Sequence, residues 1–255
     1  MAKENWNNTA RDYASYRAGF PDWFYERLSK NYGMSFQGKH ILDLGTGTGL
    51  LARGFALRGA KVTGIDIAPA MIAAAREADQ QAGVEIEYRI RPAEETGLAD
   101  NTYDIISAGT CWHWFKKEQA LGEIRRLLKR DGWMLICMLS WLPLPGNVVE
   151  QTESLVQRYN PRWQYGNMDG MKPEYLQDLG RAGFTQLESF SSDYDISYTP
   201  DAWRGRMRAS AGIAATLTPS EVAAFDQELA ILLTDRYPGD SISVPHRIFA
   251  AIGRK

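Results

Sequence analysis

The chain has 255 residues, 29 Lys and Arg against 31 Asp and Glu, and a formal net charge of −2 at pH 7. One α/β domain accommodates that length, the 44% hydrophobic fraction excludes wholesale disorder, and the balanced charge argues against a general nucleic-acid or anionic-membrane surface. The opening MAKENWNN has no apolar signal-peptide core, and the most apolar run, Trp133 to Leu139, is far shorter than a bilayer span. Cys111 and Cys137 lie in apolar stretches without CxxC spacing, which points to reduced thiols in a cytoplasmic protein and to no metal site.

In chain order, residues 1–38 read as a mainly helical leader rich in rings: Trp6, Tyr13, Tyr16, Phe20, Trp23, Phe24, Tyr25 and Tyr32. His40 to Leu44 is a short apolar strand that runs into a glycine loop, Gly45 to Gly49. Leu50 to Arg58 follows as a helix stopped by Gly59, and Lys61 to Ile65 is a second strand ending in Asp66. Pro69 opens an Ala-rich helix that runs towards Gly83. Val84, Ile86, Tyr88 and Ile90 alternate with polar residues, as in a strand with one buried face. Asp100-Asn101 is a turn before the strand Tyr103 to Ser107, and Ala120, Leu121, Ile124, Leu127 and Leu128 keep helical spacing up to a turn at Asp131-Gly132. The continuous apolar run Trp133 to Leu139 is a strand covered on both faces.

This alternation predicts βαβ crossovers in a doubly wound, mostly parallel sheet with helices on both faces. Beyond Trp141 the rhythm loosens: helices at Val148 to Tyr159, Pro173 to Ala182, Pro200 to Ala211 and Pro219 to Tyr237, with strands at Thr185 to Ile196 and Pro245 to Ile252. The whole chain is expected to be a single domain, with 39–141 as a cofactor-binding core and the helical insertions 142–182 and 200–237 as a substrate cap.

The sharpest motif is Asp43-Leu44-Gly45-Thr46-Gly47-Thr48-Gly49, between a strand and a helix. Glycines let backbone pass close to a ligand, and an acid ending the next strand, Asp66, suits ribose hydroxyls. The layout predicts a nucleoside-containing cofactor. Gly47, Gly49 and Ala52 also satisfy the G-x-G-x-x-A dinucleotide pattern, which keeps a nicotinamide-dependent oxidoreductase open. Asp43 favours the other candidate, S-adenosyl-L-methionine, because an acid there suits a cationic ammonium and sulfonium better than a pyrophosphate.

Five segments in order, DLGTGTG (43–49), VTGIDIAPAMI (62–72), AEETGLADNTYDII (93–106), HWF (113–115) and LLKRDGWMLI (127–136), resemble the class I S-adenosylmethionine-dependent methyltransferases, particularly the methyltransferase type 11 group. Tyr13-Ala14-Ser15-Tyr16-Arg17 resembles that group's aromatic opening segment. The resemblance implies a Rossmann-like, mixed seven-stranded sheet with an antiparallel last strand, and S-adenosyl-L-homocysteine as product. It implies that Tyr16 and Arg17 help hold the cofactor and that Gly45, Thr46 and Gly47 pass under its methionine part. Asp43 would organise the amino group, Asp66 would hold the ribose, Ile67 and Met71 would cover the adenine, Ala93 and Glu94 would lie at the adenine edge, and Ala108 and Gly109 would offer carbonyls. Pro92 departs from the group, which often has an acid there, so the adenine N6 contact must come from elsewhere. The alternative for Ile67 and Met71 is ordinary core, and for Glu94 a solvated loop.

Ligands of parallel sheets sit beyond the strand carboxyl ends. His113 is the one histidine expected there; His40 begins a strand and His246 flanks the last one. His113 is either a general base or a wall residue between Trp112 and Trp114. Trp112, His113, Trp203, Arg204 and Arg208 are the candidate acceptor contacts; Arg204 and Arg208, four apart on a helix, either clamp a carboxylate or form a solvated stripe. The expected partner is a small organic acceptor, such as a carboxylic acid. A non-catalytic regulator that binds S-adenosylmethionine is the alternative outside enzymes.

Overall fold

A computed structural model of the chain describes residues 9–255. Trp6 and the start of the expected leader lie outside the described residues. Seven strands form one sheet: His40–Leu44 (β1), Lys61–Asp66 (β2), Ile86–Ile90 (β3), Tyr103–Gly109 (β4), Leu128–Trp141 (β5), Thr185–Tyr198 (β6) and Ile242–Arg254 (β7), in the order β3-β2-β1-β4-β5-β7-β6. The first five strands pair in parallel. β7 runs the other way. The amide of Lys255 donates to the Gly132 carbonyl and that of Leu142 to the Pro245 carbonyl, so residue numbers rise along β5 as they fall along β7. The mixed, mostly parallel sheet is the expected one.

The helices are Ala10–Tyr16 (α1), Asp22–Tyr32 (α2), Leu50–Ala56 (α3), Pro69–Ala82 (α4), Lys117–Leu127 (α5), Val148–Tyr159 (α6), Glu174–Arg181 (α7), Pro200–Arg208 (α8) and Pro219–Arg236 (α9). The chain divides into two compact units. The first comprises Gly19–Leu139, Lys172–Ser191 and Ile248–Lys255; the second comprises, of the described residues, 9–18, Ser140–Met171 and Ser192–Arg247. No described helix is long and apolar enough to cross a membrane.

In the first unit, Leu42, Leu44, Ile106, Ala108 and Ile136 share a core with Leu121, Ile124 and Leu127 of α5 and with Tyr175 and Leu179 of α7. The alternate strand residues Ile41, Ile105, Leu135 and Cys137 are buried as well. Both faces are therefore covered, which is why these strands read as continuous apolar runs. Aromatic packing joins α2 to α3: the Tyr25 ring meets Phe55 edge-on at 5.3 Å and Phe36 at 6.4 Å. Gly54 leaves room for it, since a Cβ there would fall 1.9 Å from the Tyr25 hydroxyl. Tyr25 is 2% exposed and cannot swing away. Gly54→Ala is therefore expected to destabilise the fold by about 1–3 kcal/mol despite alanine's better helix propensity. Calorimetry should show a melting temperature lower by several degrees; an unchanged or higher value would disprove the close fit.

The second unit has its own core, in which Val149 and Val156 of α6, Trp203 and Met207 of α8, and Phe225, Leu229 and Leu233 of α9 pack together. α8 and α9 each begin with proline one residue after a capping threonine, Thr199 and Thr218, and at Thr218 the partner Glu221 completes a capping box.

Four sequence expectations need correction. β5 begins at Leu128, not Trp133. The turn at Asp131-Gly132 is a bulge inside the strand, with Asp131 at φ 61° and the register jumping from Tyr103↔Leu128 to Ile105↔Trp133. β3 lies at the sheet edge. It buries Tyr88 alone and leaves Ile90 53% exposed, so its alternation covers less than one full face. α7, expected in the first insertion, packs into the sheet core of the first unit. His246 lies within β7 rather than beside it.

Candidate functional site

The glycine loop follows β1, and Gly45, Gly47 and Gly49 have φ of 61°, 55° and 76°. This left-handed backbone region is open to glycine at little cost. A Cβ on Gly45 would lie 2.8 Å from Cys111 Sγ and 3.1 Å from the Phe115 ring, so the segment after β4 packs directly on the loop. Asp43 is 1% exposed. Its Oδ1 accepts the Ser107 hydroxyl at 2.6 Å, and its Oδ2 accepts the Thr46 hydroxyl at 2.7 Å. Burial pushes its carboxyl up to about 6, against the pull of those two hydrogen bonds. Ser107 was not anticipated as its partner. β1 and β4 pair with Asp43 opposite Ser107, and that register brings the two side chains together.

Asp66 sits at the end of β2. Its Oδ2 accepts the Gly47 amide at 2.8 Å and its Oδ1 the Ala68 amide at 2.9 Å. One carboxylate thus pins the glycine loop and the start of α4. Burial raises its carboxyl above the ordinary range, and the backbone hydrogen bonds oppose that. A carboxylate has about four lone-pair sites, so each oxygen retains capacity for a further donor. Ile67, next to it, is 53% exposed, whereas Met71 is buried at 3%. The two residues paired by sequence reasoning therefore differ: Ile67 is a free apolar face and Met71 belongs to the packed interior.

Ala93 is buried, and Glu94 accepts the Lys116 amide at 2.7 Å. Glu94 is thus a tie between this turn and the segment after β4, not a solvated loop carboxylate. The Pro92 carbonyl takes the Glu95 amide. Ala108 is fully buried, and a Cβ on Gly109 would lie 2.9 Å from Leu51. Thr110 follows at φ 59°, a conformation that strains a β-branched residue. Its amide donates to the Cys137 carbonyl at 2.7 Å and its hydroxyl accepts the Leu139 amide at 3.3 Å, which hold it there. Nothing in the sequence marks this strained residue at the strand's carboxyl end.

Trp112–Trp114 forms a short 3₁₀ turn. Trp112 is fully buried, and its indole N–H donates to Asp178 at 2.9 Å, with Lys117 on the same carboxylate at 2.8 Å. It packs in the core of the first unit. His113 is exposed on the turn, its ring 4.6 Å from Trp114.

The remaining candidates belong to the second unit. Tyr16 packs on α8, where a Cβ on Gly205 would lie 2.2 Å from its ring. Arg17 stacks over Tyr13 at 4.8 Å. Trp203 is fully buried and donates its indole N–H to Thr152 at 3.1 Å, so it too is core. Arg204 and Arg208 share a face as expected, but that face meets carboxylates of the chain itself. Arg208 holds Asp226 at 2.6 Å and Asp12 at 2.8 Å; Arg204 holds the same Asp226 and also Asp201 at 2.9 Å. Both guanidinium groups are thereby neutralised, and the pair is neither a solvated stripe nor an open clamp.

The first unit's residues fit S-adenosylmethionine. Two carboxylates, Asp43 and Asp66, flank a loop of left-handed glycines at the carboxyl ends of β1 and β2, and the exposed Ile67 adjoins them. Residues 42–136 match the family described as "Methyltransferase domain". The ubiquinone biosynthesis O-methyltransferase of Xanthomonas oryzae pv. oryzae is 30% identical over 181 residues, 69% of this chain and 73% of that protein. Among solved structures, one assigned as a type II methyltransferase from Anaeromyxobacter dehalogenans aligns with a TM-score of 0.64 at 19% identity, over 93% of this chain and 97% of that one. Haemonchus contortus phosphoethanolamine N-methyltransferase 2, in complex with phosphomonomethylethanolamine and S-adenosylhomocysteine, aligns at 0.55 and 21%, over 98% of this chain and 58% of that one. The fold, the ordered motifs and the extended identity agree: the chain belongs to the class I S-adenosylmethionine-dependent methyltransferases.

Proposed function

We propose that this methyltransferase moves a methyl group to an oxygen of a small organic acceptor. The observation that carries the donor half is the pair of acids flanking the glycine loop. Bound there, S-adenosylmethionine supplies a methyl group made electrophilic by its sulfonium. Asp43, held by Thr46 and Ser107, sets a negative charge toward the cofactor's ammonium. Asp66 uses its remaining lone pairs on the ribose hydroxyls while it fixes Gly47 and Ala68. Ile67 covers one adenine face, Ala93 and Glu94 form the adenine edge in place of the acid absent at Pro92, and Ala108 and Gly109 supply backbone carbonyls.

Oxygen as the acceptor atom is supported by the O-methyltransferase that is 30% identical over 69% of the chain. Transfer needs the acceptor oxygen in line with the sulfonium, so orientation is the main demand on the residues. His113 is read here as a positioning residue on its exposed turn, because a carboxylate acceptor needs no base. Cys111 and Cys137 are buried thiols, in keeping with a cytoplasmic setting.

The test is ligand-selective stabilisation. S-adenosylmethionine and S-adenosylhomocysteine should each raise the melting temperature, by about 2.7 kcal/mol of stabilisation at 100 times the dissociation constant. NAD and NADP should have no effect. Binding of a nicotinamide cofactor alone would sink the proposal, and a methyl-donor turnover screen across carboxylic acids, phenols and amines then identifies the acceptor class.

A further inference from the structure

Between the paired Arg204 and Arg208, on the same helix, stands an arginine of different character. Arg206 is 6% exposed. No described ion pair involves it: Asp12, Asp201 and Asp226 of α1, α8 and α9 are all taken by Arg204 and Arg208, buried Glu153 of α6 accepts the Trp141 indole N–H and the Asn167 amide, and Asp195 of β6 acts on His246. Its guanidinium stacks over the Trp141 ring at 4.5 Å, and the phenol of Tyr198 stands beside it. A second cation, Arg17, also faces it and likewise has no described carboxylate partner. Burial and Arg17 lower Arg206 to about 10, which leaves it charged at neutral pH. A buried guanidinium next to another cation, without an anion, is a costly arrangement for a fold to keep.

The surroundings define what would balance it. His246 is 2% exposed, and its Nδ1 lies 2.8 Å from the Val244 carbonyl. A carbonyl only accepts, so Nδ1 carries the hydrogen. Burial, with the two arginines, lowers His246 to about 4 and keeps it neutral, so Nε2 is an acceptor. The neighbouring side chains are flat rings. Tyr198 stacks near His246 at 6.0 Å and Tyr194 lies 6.3 Å from it, while the core residue Trp203 backs Tyr198 and Trp141 edge-on. All of these residues belong to the second unit.

We propose that Arg206, with Arg17, Tyr198 and His246, forms a recognition site for a small planar carboxylate. The guanidinium of Arg206 takes the carboxylate through charge-assisted hydrogen bonds, the geometry for which arginine is suited. His246 Nε2 accepts from a hydroxyl or N–H on the same molecule, and the neighbouring rings select a flat body.

Benzoate, benzamide and S-adenosylhomocysteine are the probes, used on the full chain by titration calorimetry and thermal melting. Benzoate should bind the native protein and benzamide at least about tenfold more weakly, since only the former carries the charge. Arg206→Met should lose benzoate binding by about tenfold or more, keep S-adenosylhomocysteine binding, and melt no lower than the native chain, because it removes an unpaired buried charge. Equal benzoate binding in native protein and Arg206→Met overturns the proposal. So does failure of benzoate to bind native protein that binds S-adenosylhomocysteine. Should Arg206→Met not fold, Arg206→Lys keeps the charge but loses the planar fork, and benzoate must still weaken several-fold. Benzoate binding without S-adenosylhomocysteine binding would defeat the donor reading and leave the anion site standing.

Discussion

Asp66→Ala is expected to weaken S-adenosylhomocysteine binding by about 1–3 kcal/mol, roughly 5- to 150-fold, since ribose hydroxyls lose charge-assisted acceptors. The structure adds a second reason. Asp66 already receives the Gly47 and Ala68 amides, so removing it releases the glycine loop and the residue that leads into α4. Both effects act in the same direction, and a companion substitution separates them. Asp66→Asn keeps one acceptor oxygen, enough for the loop or for the ribose but not for all four contacts, and should fall between native and alanine. Affinity is read by calorimetry on variants whose cooperative melting shows that they are folded. Unchanged affinity in folded Asp66→Ala would remove Asp66 from the cofactor site.

What the sequence revealed and what it hid divide along physical lines. Local signals carried well. α6 runs from Val148 to Tyr159, as its periodicity and the Asn160-Pro161 break predict, and α4 stops at Gly83 in the left-handed conformation a stop needs. β5 was misjudged because Asp131-Gly132 has the composition of a turn while tertiary pairing keeps it inside the strand as a bulge. Ring residues were the least legible. Trp112 and Trp203 occur where a ligand wall would suit, yet each spends its indole N–H on a buried partner in the core. Arg204 and Arg208 share a face by helical spacing alone, but their partners Asp12 and Asp226 come from distant segments. That same pairing isolates Arg206, whose burial no local pattern indicates. Asp43 was visible as an acid, whereas its partner Ser107 follows from strand register.

Cofactor affinity is expected to fall as pH drops below about 6, by about tenfold for each further pH unit. The cause is Asp43, whose burial raises its carboxyl to about 6 in the free chain. The sign follows from linkage. An acid whose folded value lies above its unfolded one opposes folding when ionised, so the free chain loses stability as pH rises through that value and regains it as pH falls. The cofactor's ammonium reverses the preference, because an opposite charge favours the ionised carboxylate. Binding therefore releases a proton from Asp43 below pH 6 and not above it, and affinity levels off towards neutral pH. Asp66 is raised in the same direction, so the wild-type profile alone does not isolate Asp43. Asp43→Asn does. The amide still accepts from one hydroxyl, and Ser107 or Thr46 can rotate to accept from its NH₂, so the loop is retained. The variant should bind S-adenosylhomocysteine more weakly at neutral pH and lose most of the slope between pH 5 and 6. Calorimetric titrations across pH 5–8, with proton release read from buffers of different ionisation enthalpy, measure both quantities. A wild-type affinity flat over that range, or an Asp43→Asn profile as steep as the native one, would show that Asp43 does not face the ammonium.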